Sequence, residues 1–190
     1  MALTAQQIIN KTIANEAAYL ANDEGSPSYV GIRKKDNPNW KGWNIIAQKY
    51  PNIKTGDRFK NDTELETAVY EQYYSSYYKP SNCEKILSDV ARFDYYDMYC
   101  NSPVLANRTV RMAVNMTYGT NYPISDGMKT EIFNYLGKND GKMSQLEENM
   151  LIARKTAYKC RCIEKPSLKA NLEGWLIRCD KSHKWAKNNR

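Results

Sequence analysis

The 190-residue sequence predicts a mainly α-helical fold with at most a small irregular β-hairpin. Apolar residues recur at helical spacing in most segments, whereas no segment shows the strict alternation of a half-buried strand. Helix-start motifs, in which a Ser or Thr precedes a Glu or Gln by three positions, begin at Thr4, Thr63 and Ser144. The hydrophobic fraction is 42%, and no run of 18 apolar residues occurs, so neither a disordered chain nor a membrane-spanning one is expected.

The elements follow from these signals in chain order. The first motif opens a helix that we expect to continue to Leu20, because Ile9, Ile13 and Leu20 share one face. Residues 21–39 are rich in turn-forming residues and predict a loop or a short irregular hairpin. Further helices are expected over 40–50, 63–78, 81–99, 104–116, 128–136, 144–162 and 170–179.

The net charge of +7 is concentrated at one end of the chain. The last forty residues carry 11 Lys and Arg against 3 acidic residues. Such a surface attracts polyanions, namely nucleic acid, an anionic membrane or a cell-wall polymer, although it is also what a solvated tail looks like. Because the tail has only Trp185 among its charges and no recognised nucleic-acid motif, we expect no nucleic-acid partner.

Cysteine and histidine usage argues against a metal site. The five cysteines are an odd number, none of their spacings is typical of zinc, and His183 is the only histidine. We therefore expect no metal, no organic cofactor and reduced thiols. No secretory signal is recognisable at the N-terminus, so we expect a cytoplasmic location until release to the site of action.

Glu16 is the residue that does not fit its surroundings. On the predicted first helix it lies in the middle of the apolar stripe instead of on the polar face. A buried carboxyl is kept neutral or paired, and a protonated carboxyl is what glycoside hydrolysis needs as a general acid. The alternative is a Glu at the end of the stripe that reaches solvent or an arginine.

The turn-rich segment after this helix supplies a second carboxylate and hydroxyls. Asp23 and Ser28 precede Gly31, and together with Glu16 they would form one wall of a cleft. The second group could position a water molecule or stabilise positive charge at the anomeric carbon. A solvated polar loop remains the alternative.

The sequence resembles the glycoside hydrolase 108 muramidases, a family of lysozyme-like bacterial and phage enzymes. The family pattern reads E-G-G-Y followed by N-D-P-x-D-P-G-G-x-T-N-x-G-I. The matching segments span roughly residues 5–180 and are Glu16-Ala-Ala-Tyr19, Asn22-Asp23, Tyr29-Val-Gly31-Ile32, Tyr70–Tyr78, Arg92-Phe-Asp94, Asn101-Ser-Pro103, Asp126-Gly127, Thr130, Arg154, Tyr158, Pro166 and Gly174-Trp-Leu-Ile-Arg178.

The resemblance implies a lysozyme-like helical fold and cleavage of the peptidoglycan β-1,4 bond between N-acetylmuramic acid and N-acetylglucosamine. It implies Glu16 as the general acid, Asp23 as a possible second carboxylate and Ser28 as a possible water-positioning group. It also implies a muramidase region over 1–100 and a helical predicted peptidoglycan-binding region over 101–190. Phage-type lysis by an endolysin is the corresponding biological setting.

The loop departs from the family pattern because it is three residues shorter. Counting back from Gly31 places Ser28 on the family's Thr and Asp23 on its second Asp. Counting forward from Glu16 makes Asp23 the first Asp and places the second on Ser26. This degenerate motif leaves a second interpretation open, a muramidase-fold protein that binds peptidoglycan or a protein partner without cutting.

Several tyrosines are candidate sugar contacts, since a tyrosine offers an apolar face and a polar edge to a pyranose ring. A tyrosine stripe at helical spacing is also typical of a core. The candidates are Tyr19, Tyr29, Tyr70 and Tyr74. The expected partners are glycan strands of peptidoglycan, and the sequence does not determine an oligomeric state.

Overall fold

The computed structural model describes residues 2–190 and confirms a mainly α fold with a small antiparallel sheet. The helices are α1 (Ala5–Asn15), α2 (Gly42–Lys49), α3 (Thr63–Tyr73), α4 (Lys79–Ser81), α5 (Asp89–Asn101), α6 (Pro103–Tyr118), α7 (Thr130–Leu136), α8 (Met143–Glu164) and α9 (Lys169–Asn189). A π-helix covers Tyr74–Tyr78, and short 3-10 helices cover Cys83–Lys85 and Pro166–Leu168. Within residues 2–190, no helix is both long and apolar enough to cross a bilayer.

The chain divides into two compact units. Ala5–Tyr77 forms one unit, and Tyr78–Arg190 forms the other together with the segment that ends at Thr4. The first unit contains the sheet and helices α1 to α3, and the second contains the remaining helices. The functional division that we expect, residues 1–100 and 101–190, stays a prediction.

Residues 20–33 form a three-stranded antiparallel sheet in the order β1 (Leu20–Asp23), β2 (Ser26–Tyr29) and β3 (Ile32–Arg33). Both connections are two-residue turns in which each residue has positive φ, at Glu24–Gly25 and at Val30–Gly31. Two consecutive residues with positive φ are typical of a type I′ turn, whose backbone twist matches the twist of the two strands of a hairpin. The irregular hairpin expected over 21–39 is therefore present, extended by one short strand.

At α3 and α8 the helices begin at or within one residue of the predicted positions, but the predicted capping residues do not cap them. At α3 the cap is Asp62, whose carboxylate accepts from the Leu65 N–H at 3.0 Å, so Thr63 is already helical. At α8, Ser144 lies inside the helix, which begins one residue earlier. The helix expected from residue 81 begins at Asp89, where the Ser88 hydroxyl accepts from the Ala91 N–H.

The unit Tyr78–Arg190 is built around a buried ion network. Arg154 is fully buried and pairs with Asp94 and Asp97, while Arg178 from α9 donates to Asp97 at 2.8 Å. Burial alone would raise the pKa of Asp97, but the two guanidiniums hold it well below its usual range. His183 Nδ1 lies 2.6 Å from Asp94, so the single histidine belongs to this network.

Arg178 thus fastens α9 to α5. A β-carbon at Gly174 would meet no atom within 4 Å, so packing does not require a glycine at this position. The five cysteines are free thiols, and Cys83, Cys162 and Cys179 are buried.

Candidate functional site

Glu16 lies immediately after the last residue of α1, not in the middle of a longer helix. Its N–H still donates to Ile13 O at 3.2 Å. The two residues are three positions apart, which is the 3-10 hydrogen-bond pattern that is frequent at the end of an α-helix. The expectation that the helix continues to Leu20 is therefore wrong, and Leu20 instead begins β1. Glu16 is half-buried, and it occupies the junction between the helix and the sheet.

Contacts from a distant segment explain why α1 stops here. The Arg58 guanidinium donates to Ile13 O at 3.2 Å and to Glu16 O at 3.5 Å, so carbonyls that would accept from the next turn are already satisfied. Tyr19 exchanges backbone hydrogen bonds with Gly56 and Asp57 at 2.9 and 3.0 Å. These backbone hydrogen bonds hold the chain around Tyr19 in an extended conformation. They end the helix, although the two alanines that precede Tyr19 favour a helix.

The turn between β2 and β3 packs against the Glu16 carboxyl group. A β-carbon built on Gly31 would lie 3.0 Å from Glu16 Oε2 and 2.8 Å from the Tyr73 hydroxyl. Gly31 also has φ of +78°, which favours glycine. Only a glycine allows the backbone to come this close to the carboxylate, which gives a physical reason for the glycine in this motif.

Tyr73 completes this cluster from α3. Its side chain is buried, and its hydroxyl donates to Val30 O at 2.8 Å. Val30 is a fully buried β-branched residue with φ of +42°, a strained conformation that its surroundings must enforce. Strain of this kind concentrates at functional sites, and here it adjoins the Glu16 carboxyl group.

The two other predicted catalytic candidates lie on the sheet. Asp23 ends β1, pairs with Ser26 across the hairpin, and is half-buried. Ser28 lies on the central strand between Leu20 and Arg33 and is 1% exposed. Among the described residues, the Ser28 hydroxyl has no hydrogen-bond partner, so a buried polar atom there is available to a water or a ligand.

The four candidate tyrosines divide by exposure. Tyr29 has no exposed surface: its ring packs between Trp40 and Phe59, and its hydroxyl accepts from the Phe59 N–H at 3.0 Å. A ring without exposed surface cannot contact a glycan in this structure, so Tyr29 serves the core. The other three, Tyr19, Tyr70 and Tyr74, are half-buried and offer partial ring faces.

A groove of about 510 Å³ runs along α1 and α3. Tyr70 lines it and stacks on Tyr74, with ring centroids 6.0 Å apart. The same groove is lined by Ile13, Ala14, Arg58 and Glu66, so it begins on the turn of α1 that precedes Glu16. A larger hollow of about 630 Å³ lies beside the Asp62 cap, where Lys49 and Tyr50 both already donate to the Asp62 carboxylate.

Glu66 is a groove residue that the sequence analysis missed. The spacing from Thr63 predicts that Glu66 belongs to a capping motif, but Asp62 provides the cap, and Glu66 Oε1 is buried with no hydrogen-bond partner among residues 2–190. Burial raises the pKa of Glu66, while Arg58 and Lys60 oppose that shift. The sequence offered one indication of this position. Glu66 lies four residues before Tyr70, and residues four apart lie on the same face of a helix.

Among residues 2–190, no group of three His, Cys, Asp or Glu side chains is placed to hold a metal ion. The site therefore consists of a carboxyl group at a helix end, a glycine turn against it, and a groove lined by tyrosine and ionisable side chains. A carboxyl group that can donate a proton is what glycoside hydrolysis requires of its general acid.

Comparison with known proteins finds a similar family. The family model described as Glycosyl hydrolase 108 matches residues 9–102, so this part of the chain is similar to that family. The similarity supports a peptidoglycan hydrolase in general terms. The match contains Glu16, the whole sheet and α3, and it ends at the start of α6. No curated protein and no solved structure matches the chain.

Proposed function

We propose that this protein is an N-acetylmuramidase that cleaves the β-1,4 bond between N-acetylmuramic acid and N-acetylglucosamine, with Glu16 as the general acid. The observation that carries the proposal is the position of the Glu16 carboxyl group. It lies within the matched family region, at a helix end, and against a glycine turn that admits no larger residue.

The reaction follows from this placement. Glu16 donates its proton to the glycosidic oxygen, and the departing sugar leaves as an alcohol. The oxocarbenium-like carbon then takes a water molecule, whose proton returns to a carboxylate. We assign water positioning to the Ser28 hydroxyl, which has no hydrogen-bond partner among residues 2–190, and assistance by a second carboxylate to Asp23. Both residues lie on the sheet that follows Glu16 in the chain.

The rest of the chain has a supporting role in this proposal. We propose that residues 101–190 contribute binding to the wall, since the last forty residues carry the whole positive excess. Anionic wall polymers would be attracted to that surface, and the attraction would weaken as salt increases.

The test is digestion of purified peptidoglycan by wild type and by Glu16→Gln, with products separated as muropeptides. A general acid contributes about 10²- to 10⁴-fold to rate, so we expect Glu16→Gln to lose about 10²-fold or more in kcat. Glu24→Gln is the matched control, because Glu24 lies in an exposed turn and pairs with Arg33.

Equal digestion by wild type and Glu16→Gln would show that Glu16 is not the general acid. If wild type releases no product but sediments with the wall, the second interpretation holds, and the protein binds peptidoglycan without cutting it. New reducing ends on muramic acid, as opposed to glucosamine, identify the bond that is cleaved.

A further inference from the structure

Helices α8 and α9 pack against each other and share one outer surface. Lys155 Nζ of α8 lies 2.5 Å from Asp180 Oδ1 of α9, and both side chains reach solvent. Lys155 lies three residues after Ile152, and Asp180 lies three residues after Ile177. Residues three apart are neighbours on the surface of a helix, so the ion pair places the two isoleucines on the same side of the helix pair.

The isoleucines on this side point away from the core. Ile163 follows Ile152 by eleven residues, or about three helical turns, and therefore returns to the same line along α8. Ile177 lies opposite the buried side of α9, which consists of Cys179, Ser182, His183 and Ala186. The exposed fractions of Ile152, Ile163 and Ile177 are 50%, 76% and 46%. Three apolar side chains thus face water on one surface, and covering them would be favourable.

Exposed lysines accompany these isoleucines on α8, on α9 and at the connection between the two helices. Unlike Lys155 and Lys187, they form no ion pair with an acidic side chain within residues 2–190. These unpaired lysines are Lys159, Lys165, Lys169, Lys181 and Lys184. In the same part of the chain, Glu164 and Glu173 are the acidic side chains without an ion pair. The surface therefore combines a positive excess with exposed apolar side chains.

This combination restricts the partner more than the charge does. Lysines attract an anionic wall polymer and an anionic membrane alike. A hydrated polymer, however, offers nothing that covers an isoleucine, whereas a bilayer has acyl chains directly beneath its charged headgroups. Lysine side chains can also lie along an apolar boundary while their ammonium groups stay at the level of the headgroups. The isoleucines therefore favour a lipid surface.

We propose that the outer surface of α8 and α9 binds an anionic membrane surface. Ile152, Ile163 and Ile177 enter the boundary between headgroups and acyl chains, and the unpaired lysines contact the lipid phosphates. This binding goes beyond the proposed hydrolysis, because it uses neither Glu16 nor the groove along α1 and α3.

The test is sedimentation of the full-length protein with lipid vesicles. One set contains phosphatidylcholine alone, and the other contains phosphatidylcholine and phosphatidylglycerol in equal amounts. Each basic residue near an anionic membrane contributes about fivefold in affinity, so we expect at least about tenfold tighter binding to the anionic vesicles. The difference should shrink as the salt concentration rises.

Substitutions separate insertion from charge. The double variant Ile163→Ser and Ile177→Ser should bind anionic vesicles about tenfold more weakly, since two apolar side chains no longer leave water. Ile124→Ser is the matched control, because Ile124 is 48% exposed but lies outside α8 and α9. Lys181→Gln should weaken binding by about fivefold, whereas Lys54→Gln, at an exposed lysine of the unit Ala5–Tyr77, should leave it unchanged.

A fluorescence measurement reports insertion directly. Lipids with brominated acyl chains quench a tryptophan that enters the boundary region. Ile163→Trp should be quenched more than the wild type by anionic vesicles of such lipids, and Ile124→Trp should not. Unfolding curves in urea verify that each variant folds.

Three results would overturn this proposal: no preference for anionic over neutral vesicles, wild-type binding by the folded double isoleucine variant, or tighter binding of soluble polyglycerol phosphate than of anionic vesicles. The last result would leave the surface with an attraction to anionic wall polymers and no lipid contact. None of these measurements follows peptidoglycan digestion, so a failure here is distinguishable from a failure of Glu16 as the general acid.

Discussion

The backbone of Gly31 lies directly against the carboxylate of Glu16: a β-carbon at this glycine would be 3.0 Å from Oε2. The contact joins the turn after β2 to the end of α1, two features separated by two strands and the turn between them. The position of the Glu16 carboxyl group therefore depends on the conformation of the hairpin.

Gly31→Ala should therefore be more damaging than a glycine substitution that only strains the backbone. Positive φ costs an L-residue about 1–2 kcal/mol, and the methyl group would additionally displace Glu16 or Tyr73. We expect lower stability in urea unfolding and loss of peptidoglycan digestion. Gly25→Ala is the control, because Gly25 has φ of +85° and open space around it. Equal activity losses in the two variants would contradict a specific role for the contact with Glu16.

Tyr73→Phe tests the bond that holds the strained turn. Removing the hydroxyl deprives the buried Val30 carbonyl of its donor at 2.8 Å, and an unsatisfied buried group costs about 1–3 kcal/mol. The free energy of unfolding in urea should fall by that amount. Tyr70→Phe, at a half-buried ring on the same helix, should stay within about 0.5 kcal/mol of wild type. A Tyr73→Phe variant as stable as wild type would show that the turn does not depend on this bond.

Asp62 should make α3 sensitive to acid. The Leu65 N–H and the Tyr50 hydroxyl donate to its carboxylate and lower its pKa from 3.8 to about 2. Its contribution to stability is thus fully present above about pH 4 and is lost as the pH falls through about 2. Thermal unfolding at pH 7 should show Asp62→Ala destabilised by about 1 kcal/mol, with Asp62→Asn less affected because Asn also caps helices.

The difference between wild type and Asp62→Asn should shrink as the pH is lowered from 4 towards 2, because protonation removes the same charge. A difference that is independent of pH over this range would mean that the charge of Asp62 does not contribute. The hydrogen-bonded cap itself would then carry the whole effect.

The buried ion network predicts a large penalty at Arg154. Arg154→Met would leave Asp94 and Asp97 in the core without their central cation, and breaking such a buried arrangement typically costs about 3–5 kcal/mol. The exposed pair between Arg108 and Asp126 provides the control, since Arg108→Met should change stability by no more than about 1 kcal/mol. Urea unfolding of the two variants compares these values directly, and similar losses would argue against a structural role for the network.

Several features could be predicted from local sequence. The α helices that begin near residues 63 and 103 follow from helical spacing and from capping residues, and their positions agree with the prediction within a few residues. The turn residues of 21–39 predicted the hairpin region because Gly25 and Gly31 permit positive φ.

Features that depend on distant partners could not be predicted this way. The end of α1 is decided by Arg58, 42 residues beyond Glu16 in the chain, whose guanidinium occupies the last carbonyls. The position of Glu66 in the groove could not be predicted, because a Glu three residues after a Thr fits a capping motif equally well. Only the placement of Asp62 shows that this motif is not used.

The sequence by itself determined the helical class, the turn-forming glycines and the family motif that contains Glu16, because these depend on residue type and on near neighbours. The tertiary structure decided where α1 ends, which groups surround the Glu16 carboxyl group and which side chains line the groove along α1 and α3. Those outcomes depend on hydrogen bonds between segments far apart in the chain, and local periodicity carries no information about which distant donor reaches a given acceptor.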